Sequence, residues 1–347
     1  MYKFKKTVID EMFKCYSVNH LNIKGENKLI FAGEGPGVCA VYDNNEEYNK
    51  TVLWDKEFGG TMSVVPVKGK EGYFYISKGF YSMVDSEPSS INLVKYDNGM
   101  VFDKIVCHIP YLHRFGVIQG DKEYVVGCSI ATHKYDKQDW AYPGRIYVGE
   151  LNQDLEGDVK IPLKIIKEGL TQNHGFTQGK YKGMDAIFVG AKEGFYAVVP
   201  PQNTGDNWLV EQLLEDPISD ALFVDLDGDG EEEIVGFSPF HGDLLVIYKK
   251  IDGKYVQVFN DTTKMEFYHA LAACEIKGVP TVVMGARREE MTLFMIQYNH
   301  ETEKYDIIVI DENVGPSNVH VFDDNGKFTI MSANRQINQA AIYVLED

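Results

Sequence analysis

No stretch of this sequence approaches the roughly 18 consecutive apolar residues that a membrane-spanning helix requires. Cysteine is sparse. Cys15, Cys39, Cys107, Cys128 and Cys274 are odd in number and scattered without a CxxC pair, which suits buried thiols in a reducing compartment. The segment MYKFKKTVIDEMFKC has basic residues but no apolar core or small-residue cleavage site, so a cytoplasmic chain is expected. Positive charge is also short, with 34 Lys and Arg against 52 Asp and Glu and a formal charge of −18. That balance argues against nucleic acid or an anionic membrane as the main partner, while leaving room for a local basic pocket. GxGxxG, P-loop, GxSxG, HExxH and zinc-finger spacings are missing, which removes the common nucleotide-binding, serine-hydrolase and zincin chemistries. Long helical periodicity is missing too.

What the sequence has in quantity is aromatic residues, 21 Tyr and 19 Phe, and a unit of roughly 40 to 50 residues that recurs seven times. The last strand of the unit reads KTVID (6–10), KTVLWD (50–55), DKIVC (103–107), LKIIKE (163–168), EQLLED (211–216), VQVFND (256–261) and DIIVID (306–311). Between these lie an apolar strand, a second strand ending in a small residue, as in LIFAG (29–33) or AIFVGA (186–191), and a third such as GFYAVV (194–199). Four-stranded units repeated seven times predict an all-β, seven-bladed propeller. Residues 1–10 supply an outer strand with no blade before it, and residues 315–347 supply three strands and stop, so the N-terminal strand is expected to close the last blade. The expected organisation is one domain over residues 1–347, with blades near 11–55, 56–107, 108–168, 169–216, 217–261, 262–311 and 312–347 plus 1–10.

FVDLDGDGEEEIVGF (223–237) resembles the repeat of VCBS and FG-GAP propellers, an Asp-rich loop followed by a strand reading roughly D-I-V-V-G. The resemblance covers the blade rhythm of the whole chain, but only the fifth blade keeps the acidic loop. It implies a seven-bladed propeller and a calcium loop, in a superfamily that includes lyases, receptors and scaffolds. In that loop Asp225, Asp227 and Asp229 alternate, Gly230 permits the turn, Glu231 offers a backbone carbonyl and Glu233 stands where a last carboxylate closes the site. Such hard oxygen ligands suit Ca²⁺ in a structural role, and the plainer reading is a solvated acidic turn.

Five of the nine histidines fall near the start of a blade's first strand: His20, His113, His174, His269 and His320. The connection between second and third strands carries Lys78, His133, Lys192, His241, Arg287 and Arg335 in different blades. In a propeller both positions open onto one mouth, and a cationic mouth on an acidic chain suits a small anion. A single histidine at a strand start is ordinarily structural, but five at one position are not. Blades six, seven and one are neighbours after closure, so His269, His320 and His20 are the expected ligands of a divalent transition metal (Mn, Zn, Fe or Ni). His174 and His113 are then the expected proton-transfer groups. Arg335 and Lys192 orient a carboxylate, and Lys78, His133, His241 and Arg287 attract substrate. Two functions follow. One is a metal-assisted lyase, dehydratase or isomerase acting on a small anionic carbohydrate. The other is a non-catalytic propeller binding a protein or glycan through rim aromatics such as Trp140, Tyr142, Phe80 and Tyr81. The insertion ATHKYDKQDWAYPGR (131–145) is either a lid over the mouth or a dimer contact.

Overall fold

The computed structural model describes residues 2–55, 59–261 and 265–346; the expected blade starts at 56 and 262 lie outside the described residues. Seven four-stranded antiparallel sheets form a ring, so the chain is a seven-bladed β-propeller. Six blades run outward in chain order, as in the first, with Cys15–Ile23, Glu26–Gly33, Cys39–Asp43 and Lys50–Trp54, and the seventh takes its outermost strand from the start of the chain. The inner strands that line the channel are Cys15–Ile23, Val64–Pro66, Leu112–Gln119, Gly175–Tyr181, Asp220–Val224, Met265–Ile276 and Asn318–Asp324. No described helix is long and apolar enough to cross a membrane.

The second and third strands of each blade are apolar on both faces because both faces are covered by neighbouring blades. Between the fifth and sixth blades, Val235, Phe237, Leu245 and Ile247 pack with Tyr268, Met284 and Phe294, and the Phe237 and Tyr268 rings stack at 5.0 Å. The small residue that ends the second strand is a consequence of this crowding. A Cβ on Gly285 would stand 2.2 Å from Cγ of Pro316 in the next blade, and one on Gly236 would stand 2.4 Å from the Asp220 carbonyl oxygen. These glycines serve close packing, as expected. Cys15, Cys39, Cys107 and Cys128 are buried free thiols.

Closure follows the expected route. Phe4–Glu11 pairs antiparallel with Gln339–Leu345, with Phe4 opposite Leu345, Thr7 opposite Ile342 and Glu11 opposite Gln339. Lys6 bonds Asp311 at 2.8 Å, and Met12 N–H donates to the Asn338 carbonyl at 2.7 Å, which carries the seam into the first blade. Asn318 then donates to the Tyr16 carbonyl at 2.7 Å, joining the innermost strands of blades seven and one.

Deleting residues 2–11 exposes the Gln339–Leu345 edge and removes about six ladder bonds worth roughly 1 kcal/mol each. For a chain of this size the unfolding midpoint should fall by roughly 5–10 °C. Differential scanning calorimetry checks this, and a truncated chain that melts with the intact one contradicts the seam.

A tyrosine–imidazole layer beneath a cationic mouth

Four inner strands carry a ring at the same level of the channel. In three of them a β-bulge produces it: the register shifts between Cys15 and Ser17, between Leu112 and Arg114, and between Tyr268 and Ala270. The extra residues are Tyr16, His113 and His269, and a bulge re-aims the side chain it adds. The fourth ring is His174, which immediately precedes Gly175 in its blade. Gly175 pairs with Gly190 as Ala270 pairs with Gly285 and Ser17 with Ala32, so the four positions are equivalent.

These rings touch across the axis. Tyr16 Oη lies 3.1 Å from His269 Nε2 and 3.3 Å from His113 Nε2. The His174 ring centroid is 4.3 Å from His113 and 4.9 Å from His269. His269 Nδ1 faces the Ser317 carbonyl, which can only accept, so neutral His269 carries its proton on Nδ1 and offers a lone pair at Nε2. Tyr16 therefore donates to His269 and accepts from His113 Nε2. His241 enters from the connection after Glu233–Ser238, held between Phe240 at 3.9 Å and Phe267 at 4.2 Å. It reaches within 4.7 Å of His174, centroid to centroid.

Above this layer opens a cavity of about 700 Å³. Its cations are Lys14, Lys137, Arg287, Arg288 and Arg335, and Glu34 is its acid. Glu34 accepts from Arg335 Nε, while Arg335 and Arg287 both donate to Gln336 Oε1, at 3.1 and 3.3 Å. A short 3-10 turn, Arg335–Ile337, sets Arg335 and Gln336 at the rim. Arg287 and Arg288 lie over the Phe267 face at 4.6 and 4.7 Å. Burial, then the neighbouring Arg335, lowers Arg287 to about 10, so it stays charged at neutral pH.

The imidazoles do the reverse. Burial, reinforced by Arg114 and neighbouring rings, holds His113 and His174 well below the ordinary histidine range, and burial with Arg287 does the same for His269. His241 is lowered to about 3 by burial and by Arg287 and Arg288. Burial pushes the Tyr16 hydroxyl up to about 12. The mouth thus sets cationic side chains, with Glu34 paired among them, over a layer of neutral imidazoles and a protonated tyrosine.

Several sequence expectations need correction. His20 and His320 do not join His269. They bond each other, Nδ1 to Nε2 at 2.7 Å, and His320 lines a second cavity of about 700 Å³ whose wall includes Lys68, Glu123 and Asp185. The reason is register: His20 stands four residues beyond Tyr16, or about 13 Å along an extended strand. His174 is packed within the layer and is fully buried, not lining the mouth cavity. Lys78 bonds Asp103 at 2.6 Å over the Trp54 ring, Lys192 is exposed, and His133 packs against Tyr135 and Tyr142 in the insertion; none of the three lines the cavity. His113, His241, Arg287 and Arg335 do line it. The insertion leans over it, with Trp140 edge-on to Phe240 at 5.4 Å.

Tyr16, Lys14 and Lys137 were not singled out from the sequence. The signal for Tyr16 was present: Tyr16, His174 and His269 each stand sixteen residues before the first of the two small residues that follow the apolar run of the second strand (Ala32-Gly33, Gly190-Ala191, Gly285-Ala286).

The acidic loop places Asp225, Asp227 and Asp229 together, with Asp225 accepting from Gly228 and Gly230 N–H at 2.7 and 3.0 Å. Lys249 extends its ammonium among them, bonding Asp227, reaching Asp229 at 2.7 Å and approaching Glu233 at 3.7 Å. Glu231 faces Lys250 at 3.5 Å. Calcium at the expected site would have to displace Lys249.

No protein-family model matches the chain, the VCBS and FG-GAP families included, and no curated protein matches it. Among solved structures, a proposed 6-phosphogluconolactonase from Bacteroides uniformis aligns with a TM-score of 0.57. The match covers 87% of this chain and 85% of that one at 12% identity. At that identity the likeness shows the propeller fold alone.

Two outcomes follow. With Lys249 in place, calcium should leave the melting temperature unchanged, whereas Lys249→Met should melt lower in chelator and regain stability with calcium. Thermal melts of both proteins with and without calcium check this, and a calcium shift in the wild type contradicts it. The second concerns pH. His320 drops from 6.5 to about 3 on burial beside His20, so between those values the unfolded chain binds more protons. Stability contributed by keeping His320 neutral is complete above about 6.5 and is lost as pH falls toward 3. His320→Leu should flatten the fall in melting temperature between those values; parallel curves for variant and wild type would contradict this.

Proposed function

We propose that the chain, acting as one propeller domain, is a metal-assisted carbohydrate-active lyase, dehydratase or isomerase whose substrate is a small sugar acid held in the mouth. The observation that carries this reading is the juxtaposition of Tyr16 and neutral His113 with the guanidiniums of Arg287 and Arg335 in one cavity. A carboxylate docked on the guanidiniums has its α-proton made more acidic, because the enolate that forms on deprotonation is stabilised by fixed cations out of bulk water. His113 takes that proton as general base, and the C–H electron pair becomes the new double bond. In elimination the β C–O bond breaks with its pair on oxygen, which receives the Tyr16 proton; in isomerisation a proton returns to carbon. A divalent cation bound by the neighbouring imidazoles would supply Lewis-acid polarisation of the same carboxylate.

Arg287 takes the place expected for Lys192. The name of the Bacteroides uniformis structure concerns an anionic sugar lactone, the same broad ligand class. Support for catalysis over a binding platform comes from the aromatics. Phe80 is buried edge-on to His113 at 5.4 Å and Trp140 carries Lys134 over its ring at 3.4 Å, so with Tyr81 they wall the cavity, and Tyr142 is left as the exposed rim aromatic.

Incubating purified protein with uronates, keto-sugars and phosphorylated sugar lactones should yield the ultraviolet absorbance of an unsaturated product or an isomer detectable by NMR. Tyr16→Phe should lower kcat by roughly 10²–10⁴-fold with little change in KM. Arg287→Gln should raise KM and lower kcat together. Unchanged sugar acids across the panel, or full turnover by Tyr16→Phe, would reject the reading.

A further inference from the structure

Among the described residues, His174 is the one histidine with both ring nitrogens buried and unpartnered. It is 0% exposed. A buried imidazole with two open nitrogens is costly unless something else satisfies it. Its neighbours are two more imidazoles. His241 Nε2 has no partner. His269 Nδ1 is committed to Ser317, so its Nε2 carries the lone pair, which accepts from Tyr16 Oη at 3.1 Å and is freed for a metal when that hydroxyl turns away. The ligand atoms of His174, His241 and His269 all lie within 4.8 Å of one another.

We propose that His174, His241 and His269, from three successive blades, bind one borderline divalent transition metal, of which Zn²⁺ is the reference case. Three imidazoles and no carboxylate select Zn²⁺, Ni²⁺, Cu²⁺ or Fe²⁺ over Mg²⁺ and Ca²⁺. Ligands around a tetrahedral zinc stand about 3.4 Å apart, so the rings draw inward by about 1 Å on binding. The supports resemble those of known sites: the Ser317 carbonyl fixes one ligand's tautomer, and Phe240 and Phe267 clamp another. Neutral imidazoles need no proton removed before they coordinate. Three protein ligands leave a fourth position, and Tyr16 Oη at 3.1 Å from His269 Nε2 marks the side on which it opens. The donors bring no negative charge and Arg287 stands nearby, so a bound anion completes the site.

The proposal concerns binding and is independent of the reaction. Full-length protein stripped with chelator is titrated with Zn²⁺ by calorimetry and, separately, with Co²⁺ by visible spectroscopy. One metal per chain is expected, with cobalt d–d bands of a four- or five-coordinate nitrogen site. His241→Ala and His174→Ala should weaken Zn²⁺ binding by at least about 100-fold, whereas His320→Ala, at the other cavity, should bind as wild type. If His174→Ala fails to fold, the wild-type cobalt spectrum and the His241→Ala titration still decide. Absence of stoichiometric uptake by the wild type, or wild-type affinity in His241→Ala, overturns the site. Metal uptake without turnover would instead remove the lyase reading and leave the site standing.

Discussion

The structure rests on the antiparallel pairing of Phe4–Glu11 with Gln339–Leu345. A propeller blade has two apolar faces and cannot bury both alone, so the ring is stable only when every blade has two neighbours. The seam makes the seventh blade from both ends of the chain. It also brings the mouth together, because Tyr16 and His269 are 253 residues apart and Glu34 and Arg335 are 301 apart. Both pairs meet across the closed ring, so the site is assembled from residues distant in the chain.

Much of the fold was legible because blade packing writes itself into composition. Strands covered on both faces are apolar throughout, their ends are small where packing is close, and outer strands are short apolar runs bracketed by charged residues, so LIFAG, AIFVGA and DIIVID announce their layer. The mismatch between three strands at the C-terminus and one at the N-terminus announced closure. The site was legible only in part. That loop cations and first-strand histidines share a mouth follows from topology, and His113, His241, Arg287 and Arg335 were found that way.

Register was the obstacle. A histidine can be assigned to a first strand without knowing how far along it lies, and the Asn-His pairs at 19–20 and 173–174 look alike while standing four positions apart in the structure. The bulges at Tyr16, His113 and His269 are local insertions in the ladder that leave no compositional mark. Counting back from the small residue of the second strand recovers the level, because hairpin length is set by blade geometry. Lys249 eluded prediction for another reason: it lies on the third strand, outside the acidic motif it neutralises.

The contrast between guanidiniums and imidazoles at the mouth has a kinetic meaning. Arg287 keeps its charge well above neutrality, and His113, His241 and His269 are uncharged well below it, so on the proposed reading their contribution to the potential that would draw in an anion is nearly constant across the physiological range. Capture is thereby separated from proton movement. Any acid or alkaline limb in the rate of a reaction at this mouth would report the protonation of the substrate or of the transition-state complex, with the encounter step left flat.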